Sequence, residues 1–365
     1  MTRILSVATA GLRADQLADK DHLRFPRVDY IELQRLLNTS IMDYSAYDQN
    51  YAGHFFRRLE THLRSDFYLA TLSWWNSRDY STVFTWSERA GIPLAGYKRF
   101  TRLNKRFVTM FQCWSKRQEI AITKLGLFSA MDDIIVHCAS MKDNLIRLGA
   151  PAEKINLIHY SIDQSFYSPL HGIKPQNNLI MSLGEPRSRD YAALFQAVEG
   201  LPVNLKVAAS GHWYAREKTN HLKSPAVENI TIIKNLPQWE LKKLYASAQF
   251  VVLPIQDLVY SAGATVALEA GSMARAVIAF RSRGIVDYII DGETGILVDP
   301  GDVIALREAI QFLLANPKEA MRLGQNARQR VVEELNLESY VRNIAKLLMN
   351  NFSQLHNTDA HKYSP

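Results

Sequence analysis

Residues able to do chemistry concentrate in four short stretches in the second half of the chain. One runs Gly184-Glu185-Pro186-Arg187-Ser188-Arg189-Asp190-Tyr191 and a second Ser210-Gly211-His212-Trp213. A third runs Tyr260-Ser261-Ala262-Gly263-Ala264-Thr265, and a fourth Arg281-Ser282-Arg283-Gly284. The third is the most informative. A helix opening at Gly263, Ala264 and Thr265 presents backbone N–H groups and the positive end of its dipole, which suits a phosphate. Glycine lets an anion approach the chain closely. Glu269 falls about one turn further on, where a carboxylate can accept two hydrogen bonds from a sugar diol. It lies within the apolar run Val266-Ala267-Leu268-Glu269-Ala270-Gly271, and a buried carboxylate needs a partner. Arg187 or Arg189 can neutralise a diphosphate from the neighbouring loop.

The elements that position these loops follow from the hydrophobic pattern. Short apolar runs at 179–183, 205–209, 230–233, 250–253, 276–280 and 295–298 read as strands. Helical spacing fills the gaps at 191–198, 238–248 and 265–274. Asp302 caps a further helix to about Leu314, and Pro317 opens another after Asn316. This alternation predicts a parallel sheet covered on both faces. The first half is similar, with strands expected at 4–9, 67–72, 82–85, 107–111, 134–137 and 155–158. Helices are expected at 31–37, 51–64 and 141–148. The stretch 165–178 holds Pro169, Gly172, Pro175 and two asparagines and reads as a linker. The expected architecture is α/β, with two doubly wound Rossmann-like domains facing across a cleft. We place the domains at residues 1–168 and 169–345, with a tail at 346–365 packing back on the first. Ligands of such sheets bind outside the carboxyl ends of the strands, where the four stretches lie.

Composition bounds the possibilities. The chain has 365 residues, enough for two cores. Its 47% hydrophobic and 22% charged residues exclude a disordered chain. Two cysteines, Cys113 and Cys138, make no disulfide framework or metal pair and read as buried free thiols, which fits a reducing cytoplasm. No apolar run approaches the length of a bilayer span. The apolar start, Ile4 to Ala10, reads as a first buried strand rather than a signal peptide. The formal charge of +7 is concentrated at Lys98, Arg99, Arg102, Lys105, Arg106, Lys116, Arg117 and Lys124. That stretch reads either as a solvated helix face or as an interfacial helix with Phe100, Leu103 and Phe107 interleaved. No nucleic-acid recognition motif accompanies the charge.

From Ile180 to about Leu348 the sequence resembles the C-terminal domain of retaining glycosyltransferases of family 4, within the glycosyl transferases group 1, which have the GT-B fold. Ser182-Leu183-Gly184 resembles the strand and glycine that open that domain. Glu228-Asn229-Ile230 with Leu236-Pro237, and Ala248 to Pro254, resemble its next segments. Gly263 with Leu268-Glu269-Ala270 resembles the donor-loop helix. Asp291-Gly292-Glu293-Thr294-Gly295-Ile296-Leu297-Val298 with Pro300-Gly301-Asp302 is the most recognisable run, and Asn326-Ala327-Arg328 follows it. Cys138-Ala139-Ser140, Leu148-Gly149, Lys154-Ile155 and Ile162-Asp163 resemble the end of the family's first domain.

The resemblance implies transfer of a sugar from a UDP-sugar or GDP-sugar donor to a glycan or lipid-linked acceptor, with retention of configuration. It implies no cofactor and no metal ion. The first domain would take the acceptor and the second the nucleotide sugar. Residues expected at the donor are Gly184, Arg187, Arg189, His212, Ser261, Gly263, Ala264, Thr265 and Glu269, with Arg189 and Glu269 carrying catalysis. Two departures stand out. The family has two glutamates with seven residues between them; the second matches Glu269, but Ser261 stands at the first. The usual arginine and lysine of the phosphate loop are replaced by Glu185 and by Arg189-Asp190. Near the reaction centre of the first domain the candidates are Trp86, Ser87, Glu88 and Gln112. The expected location is the cytoplasm, with Lys98 to Lys124 as a contact for the anionic inner membrane face. Two other readings stay open: a sugar-nucleotide-binding protein without transfer activity, and a sugar-nucleotide epimerase using Glu88 and Asp287.

Overall fold

A computed structural model describes residues 3–11, 24–49, 53, 55, 56, 58–60, 65–101, 105–208 and 229–349. They form two compact units: 27–159 with the first residues and the chain from Glu338 onward, and 160–337 with residues 24–26.

In the first unit the chain runs β1 (Ile4–Val7), α1 (Asp29–Leu37), β2 (Ser40–Met42), α2 (Phe67–Asn76), β3 (Thr82–Thr85) and α3 (Glu88–Thr101). It continues through β4 (Arg106–Met110), α4 (Lys116–Lys124), β5 (Asp133–Val136), α5 (Ala139–Arg147) and β6 (Ile155–Leu157). The strands form one parallel sheet in the order β2-β1-β3-β4-β5-β6. β1 and β3 are buried along their whole length, as a strand covered on both faces must be.

Two local expectations change here. Residues 67–72, expected as a strand, begin helix α2. Phe67, Tyr68 and Leu69 have high strand propensity, but Leu69, Ala70 and Ser73 are the buried set, a helical spacing that tertiary packing selects. β2 was not anticipated, because Ser40-Ile41-Met42 is a half-buried edge too short to show a period. Cys113 is exposed rather than buried, whereas Cys138 is buried.

Residues 158–178 contain no helix or strand beyond a single bridge at Ile162. The second unit then runs β7 (Leu179–Leu183), α6 (Tyr191–Val198), β8 (Asn204–Ala208), β9 (Ile230–Ile233), α7 (Gln238–Ser247) and β10 (Phe250–Leu253). After these come α8 (Ala264–Ser272), β11 (Ala276–Phe280), β12 (Gly295–Val298), α9 (Val303–Ala315) and α10 (Pro317–Glu333). The order is β12-β11-β10-β7-β8-β9, again all parallel. Caps fix the helix starts: Asp190 accepts from Ala193 N at 3.0 Å and Asp302 from Ala305 N at 2.9 Å. The core gathers Ile180, Leu205, Phe250, Ile278, Leu306 and Leu323.

The last helix, α11 (Leu337–Met349), belongs to the first unit from Glu338. Its terminal carbonyls at Leu347 and Leu348 accept from the Arg106 guanidinium at 2.7 and 2.8 Å, and Arg106 also pairs with Asp133. A cation at that end answers the negative pole of the helix.

Candidate functional site

Strand order locates the site in the second unit. β7 leads to β8 and β9 on one side, and β10 returns to the other, so β7 and β10 are neighbours with connections leaving in opposite directions. That is the switch point at which a parallel sheet opens a crevice beyond its carboxyl ends. The two loops entering it are stitched together: Asp190 N donates to Pro254 O at 2.7 Å and Gln256 N to Ser188 O at 3.2 Å.

Arg189 occupies the crevice floor. It is 6% exposed. Its Nε donates to Leu183 O at 3.1 Å, and Nη1 donates to Ser188 O and Oγ at 3.2 and 3.1 Å. Among the described residues it forms no ion pair and Nη2 has no hydrogen-bond acceptor. Burial pulls the guanidinium below its ordinary value, yet an arginine keeps its charge. A buried cation with an unused donor is costly unless an anion joins it.

Two glycines make room for that guanidinium and for the Ile255 side chain beside it. Gly184 has φ +134°, and a Cβ there would sit 2.6 Å from Arg189 Nη2. Gly263 has φ +84°, and its Cβ would sit 2.5 Å from Ile255 Cδ1 and 3.6 Å from Arg189 Nη2. Both positions therefore exclude a side chain, by conformation and by space. Gly263 is the N-cap of α8, whose first-turn N–H groups lack acceptors within the helix. Ala264 is buried and Thr265 exposed. The guanidinium lies beside the helix N-terminus, with Nη2 3.6 Å from where a Cβ of Gly263 would sit. Together they can bind a phosphate or diphosphate.

Glu269 lies one turn into α8 and is 6% exposed. Tyr245 Oη donates to its Oε2 at 2.8 Å, and Tyr167, whose Oη donates to Gln238 Oε1 at 2.5 Å, packs edge-on against Tyr245. Burial raises the carboxyl to about 7, and the two phenols oppose the rise. Burial and the adjoining Glu269 push Tyr245 and Tyr167 well above the ordinary phenol range. These tyrosines were missed from sequence. The available signal was two tyrosines in apolar contexts, each of which needs a polar partner once buried.

Other expected residues fall differently. Arg187 is exposed on the turn Pro186–Ser188. Ser261 is half-buried, and its carbonyl accepts from Ala264 N at 3.1 Å. His212 and the stretch 210–213 lie outside the described residues. The fourth loop braces the third: Arg283 pairs with Asp257 at 3.1 Å, and Ser282 Oγ accepts from Leu258 N at 3.2 Å. Asp287 is engaged through its carbonyl by Arg330 at 2.8 Å.

In the first unit, Trp86, Ser87 and Glu88 follow β3 and Gln112 follows β4, so the expected group does assemble. Gln112 N donates to Glu88 Oε2 at 2.8 Å, and Gln112 Nε2 to Trp86 O at 3.0 Å. Glu88 is buried and raised to about 7 by desolvation, against backbone N–H donors from Gln112, Glu88 and Cys113. Among the described residues no group of three or more His, Cys, Asp and Glu side chains could hold a metal ion.

The basic stretch is not one interfacial helix. It spans the end of α3, the strand β4 and all of α4, and Phe107 is buried in the sheet. Lys98 pairs with Asp132, Arg99 donates to Ser129 Oγ at 2.8 Å, and Arg106 caps α11. Leu103 lies outside the described residues. No described helix is long and apolar enough to cross a membrane.

Residues 164–330 match the family model of Glycosyl transferases group 1. A glycogen synthase of Mycobacterium tuberculosis is 25% identical over 234 residues, 61% of this chain and 55% of that protein. The chain spans about half the length of the curated relatives it matches. Among solved structures, Anabaena HepE in complex with UDP-glucose superposes with a TM-score of 0.72, at 15% identity over 96% of this chain and all of that one, 100%. A sucrose-phosphate synthase from Thermosynechococcus elongatus gives 0.69, at 16% identity over 95% of this chain and 98% of that one. The two parallel sheets and these neighbours identify the fold as GT-B.

Proposed function

From a chain whose residues 164–330 match the family model of Glycosyl transferases group 1, we propose that this protein transfers a sugar from a nucleoside-diphosphate sugar to a glycan or lipid-linked acceptor. The observation that carries the reading is Arg189: a buried guanidinium with an unused donor, held between two glycines beside the opening of α8.

In this reading the diphosphate lies against Arg189 Nη2 and the N–H groups at the opening of α8, from Gly263 and Thr265, the Ala264 N–H being held by Ser261 O. Glu269 takes the ribose hydroxyls. As the bond to the sugar breaks, negative charge grows on the diphosphate. Fixed donors already aimed at it stabilise that charge without reorganising. Retention of configuration, and transfer without a metal ion, are part of the proposal. So is acceptor binding by the first unit, where Glu88 and Gln112 join the loops after β3 and β4.

The test is a thermal-shift screen with UDP-, GDP- and ADP-sugars, followed by transfer assays with and without a chelator. A bound donor raises the melting temperature by linkage. No stabilisation by any nucleotide sugar would overturn the reading. Ser261 favours a second reading, a nucleotide-sugar-binding protein without transfer, since the family has glutamate there. Binding without donor hydrolysis or transfer would select it. A membrane contact near α3 and α4 draws support from Phe100, which is 70% exposed, and from exposed Arg117 and Lys124. Sedimentation with anionic and neutral vesicles tests it.

A further inference from the structure

Helix α2, Phe67-Tyr68-Leu69-Ala70-Thr71-Leu72-Ser73-Trp74-Trp75-Asn76, carries no charged residue. It is nonetheless a surface helix. Leu69, Ala70 and Ser73 are buried, whereas Thr71, Trp75 and Asn76 are exposed. Surface helices of globular domains turn charged and polar residues to water, but this one turns out a tryptophan that is 67% exposed. The end of α3 adds to the same face. Tyr97 Oη meets Thr71 Oγ1 at 2.7 Å, and the Tyr97 and Trp74 ring centroids lie 6.1 Å apart. Phe100 follows Tyr97 by one helical turn and is 70% exposed. At the start of α2, Phe56 stacks on Tyr68 with centroids 4.8 Å apart, and Phe55, edge-on to Phe56, is exposed.

Cations border this apolar strip where α2 and α3 end. Arg78 is exposed and lays its guanidinium over the Trp75 ring, 4.7 Å from the centroid. Lys105 donates to Ser77 O, just past the end of α2. Arg99, beside Phe100, is exposed and anchored on Ser129 Oγ at 2.8 Å. Lys98 and Asp132 cancel as a pair. Among the described residues at this end, Arg78, Arg99 and Lys105 stand against one exposed carboxylate, Asp79. Aromatic rings flanked by cations match the boundary of an anionic bilayer, where the rings settle between headgroups and acyl chains and the cations meet phosphates. Rings that project from a surface need no complementary pocket in a fluid layer, whereas a folded protein would have to offer one to each.

We propose that the outer face of α2 and the end of α3 dock on an anionic lipid bilayer, with Trp75 and Phe100 entering the headgroup boundary and Arg78, Arg99 and Lys105 meeting lipid phosphates. This deepens the membrane contact of the proposed function. It rests on that reading in taking a bilayer as the partner, but moves the anchor from α4 to α2. Such a contact is peripheral: the rings supply apolar burial and the cations an attraction that salt screens.

The experiment is co-sedimentation of the full chain with vesicles of phosphatidylcholine alone and of equal parts phosphatidylcholine and phosphatidylglycerol. Wild type should pellet with the mixed vesicles, come off as salt is raised, and stay in solution with the neutral ones. Trp75→Ala and Phe100→Ala should each weaken partition by about tenfold, and Arg78→Glu by about tenfold as well. Ile120→Ala, at an exposed position on α4, should bind as wild type does. All four side chains are exposed, so melting temperatures should stay at the wild-type value. Bromine-labelled acyl chains should quench the tryptophan emission of wild type more than that of Trp75→Phe, a difference that a structural role alone does not produce. Wild type that ignores anionic vesicles would overturn this inference and the membrane contact, and leave sugar transfer standing. Binding that survives both alanine variants, or falls with Ile120→Ala, would overturn the α2 anchor alone. A dimer in sedimentation velocity that Trp75→Ala dissolves would assign the face to a second copy and overturn it too. Failure of every nucleotide sugar to stabilise the protein would overturn sugar transfer and leave vesicle binding untouched.

Discussion

Glu88 and Glu269 make an instructive pair. Each is a buried glutamate beside the carboxyl end of a parallel sheet, and desolvation raises each to about 7. Their partners differ in kind. Glu88 is held by backbone N–H groups, including Gln112 N at 2.8 Å, and so clamps the loop after β3 to the loop after β4. Glu269 is held by the Tyr245 hydroxyl, at 2.8 Å. A backbone donor cannot leave without unravelling its loop, whereas a hydroxyl can yield its place to the hydroxyl of a sugar. Under the proposed function, equal burial and equal shift serve different ends: one carboxyl fixes the frame and the other takes the hydroxyls of the donor.

The largest effect should come from the cation beside the second glutamate. Arg189→Ala removes the unpaired guanidinium, and nucleotide-sugar affinity and transfer should each fall by about 100-fold or more. Calorimetry and initial rates check this; near-wild-type binding would remove the diphosphate from that crevice. Next, Gly184→Ala places a Cβ 2.6 Å from Arg189 Nη2 at a φ of +134°. Displacing that side chain should weaken nucleotide binding by about tenfold and lower the melting temperature. The same titration on Glu88→Gln should match wild type, which is the sharpest contrast between the two carboxyls.

The smallest effect is on stability, and its sign separates the pair. A carboxyl whose folded pKa is raised above its unfolded value stabilises the fold at low pH, and that contribution is lost as pH rises through the folded pKa. Glu269 at about 7 therefore weighs against the fold at pH 8. Glu269→Gln should raise the melting temperature there, by at most a few kcal/mol of stability. Glu88→Gln sets an NH2 against backbone N–H donors and should lower stability by about 1–3 kcal/mol. Melting both variants side by side at pH 8 tests the contrast; two shifts of the same sign would break it.

Much of this arrangement was legible in the residues. Strands buried on both faces, such as Phe250-Val251-Val252-Leu253, read as unbroken apolar runs because a parallel sheet has no wet face. The glycine opening α8 and the buried carboxyl one turn on were legible because a helix start has a short sequence footprint. Arg189 could be named, but its burial could not, since that depends on Gly184 and Gly263 leaving it space. Tyr167 stayed hidden because it meets Gln238 and Tyr245 far along the chain and itself reads locally as linker. The strand at 67–72 was misread because aromatic residues satisfy both patterns over so short a run. The interfacial helix failed for the same reason: charge clustering in sequence says nothing of which element each lysine leaves from.

The most direct measurement of the central claim is the structure of the complex with UDP-glucose or GDP-mannose. The account predicts a diphosphate oxygen within hydrogen-bond distance of Arg189 Nη2 and of the N–H groups opening α8, with a ribose hydroxyl on Glu269. A nucleotide bound elsewhere, with no diphosphate oxygen at Arg189 Nη2 and no ribose hydroxyl on Glu269, would contradict it.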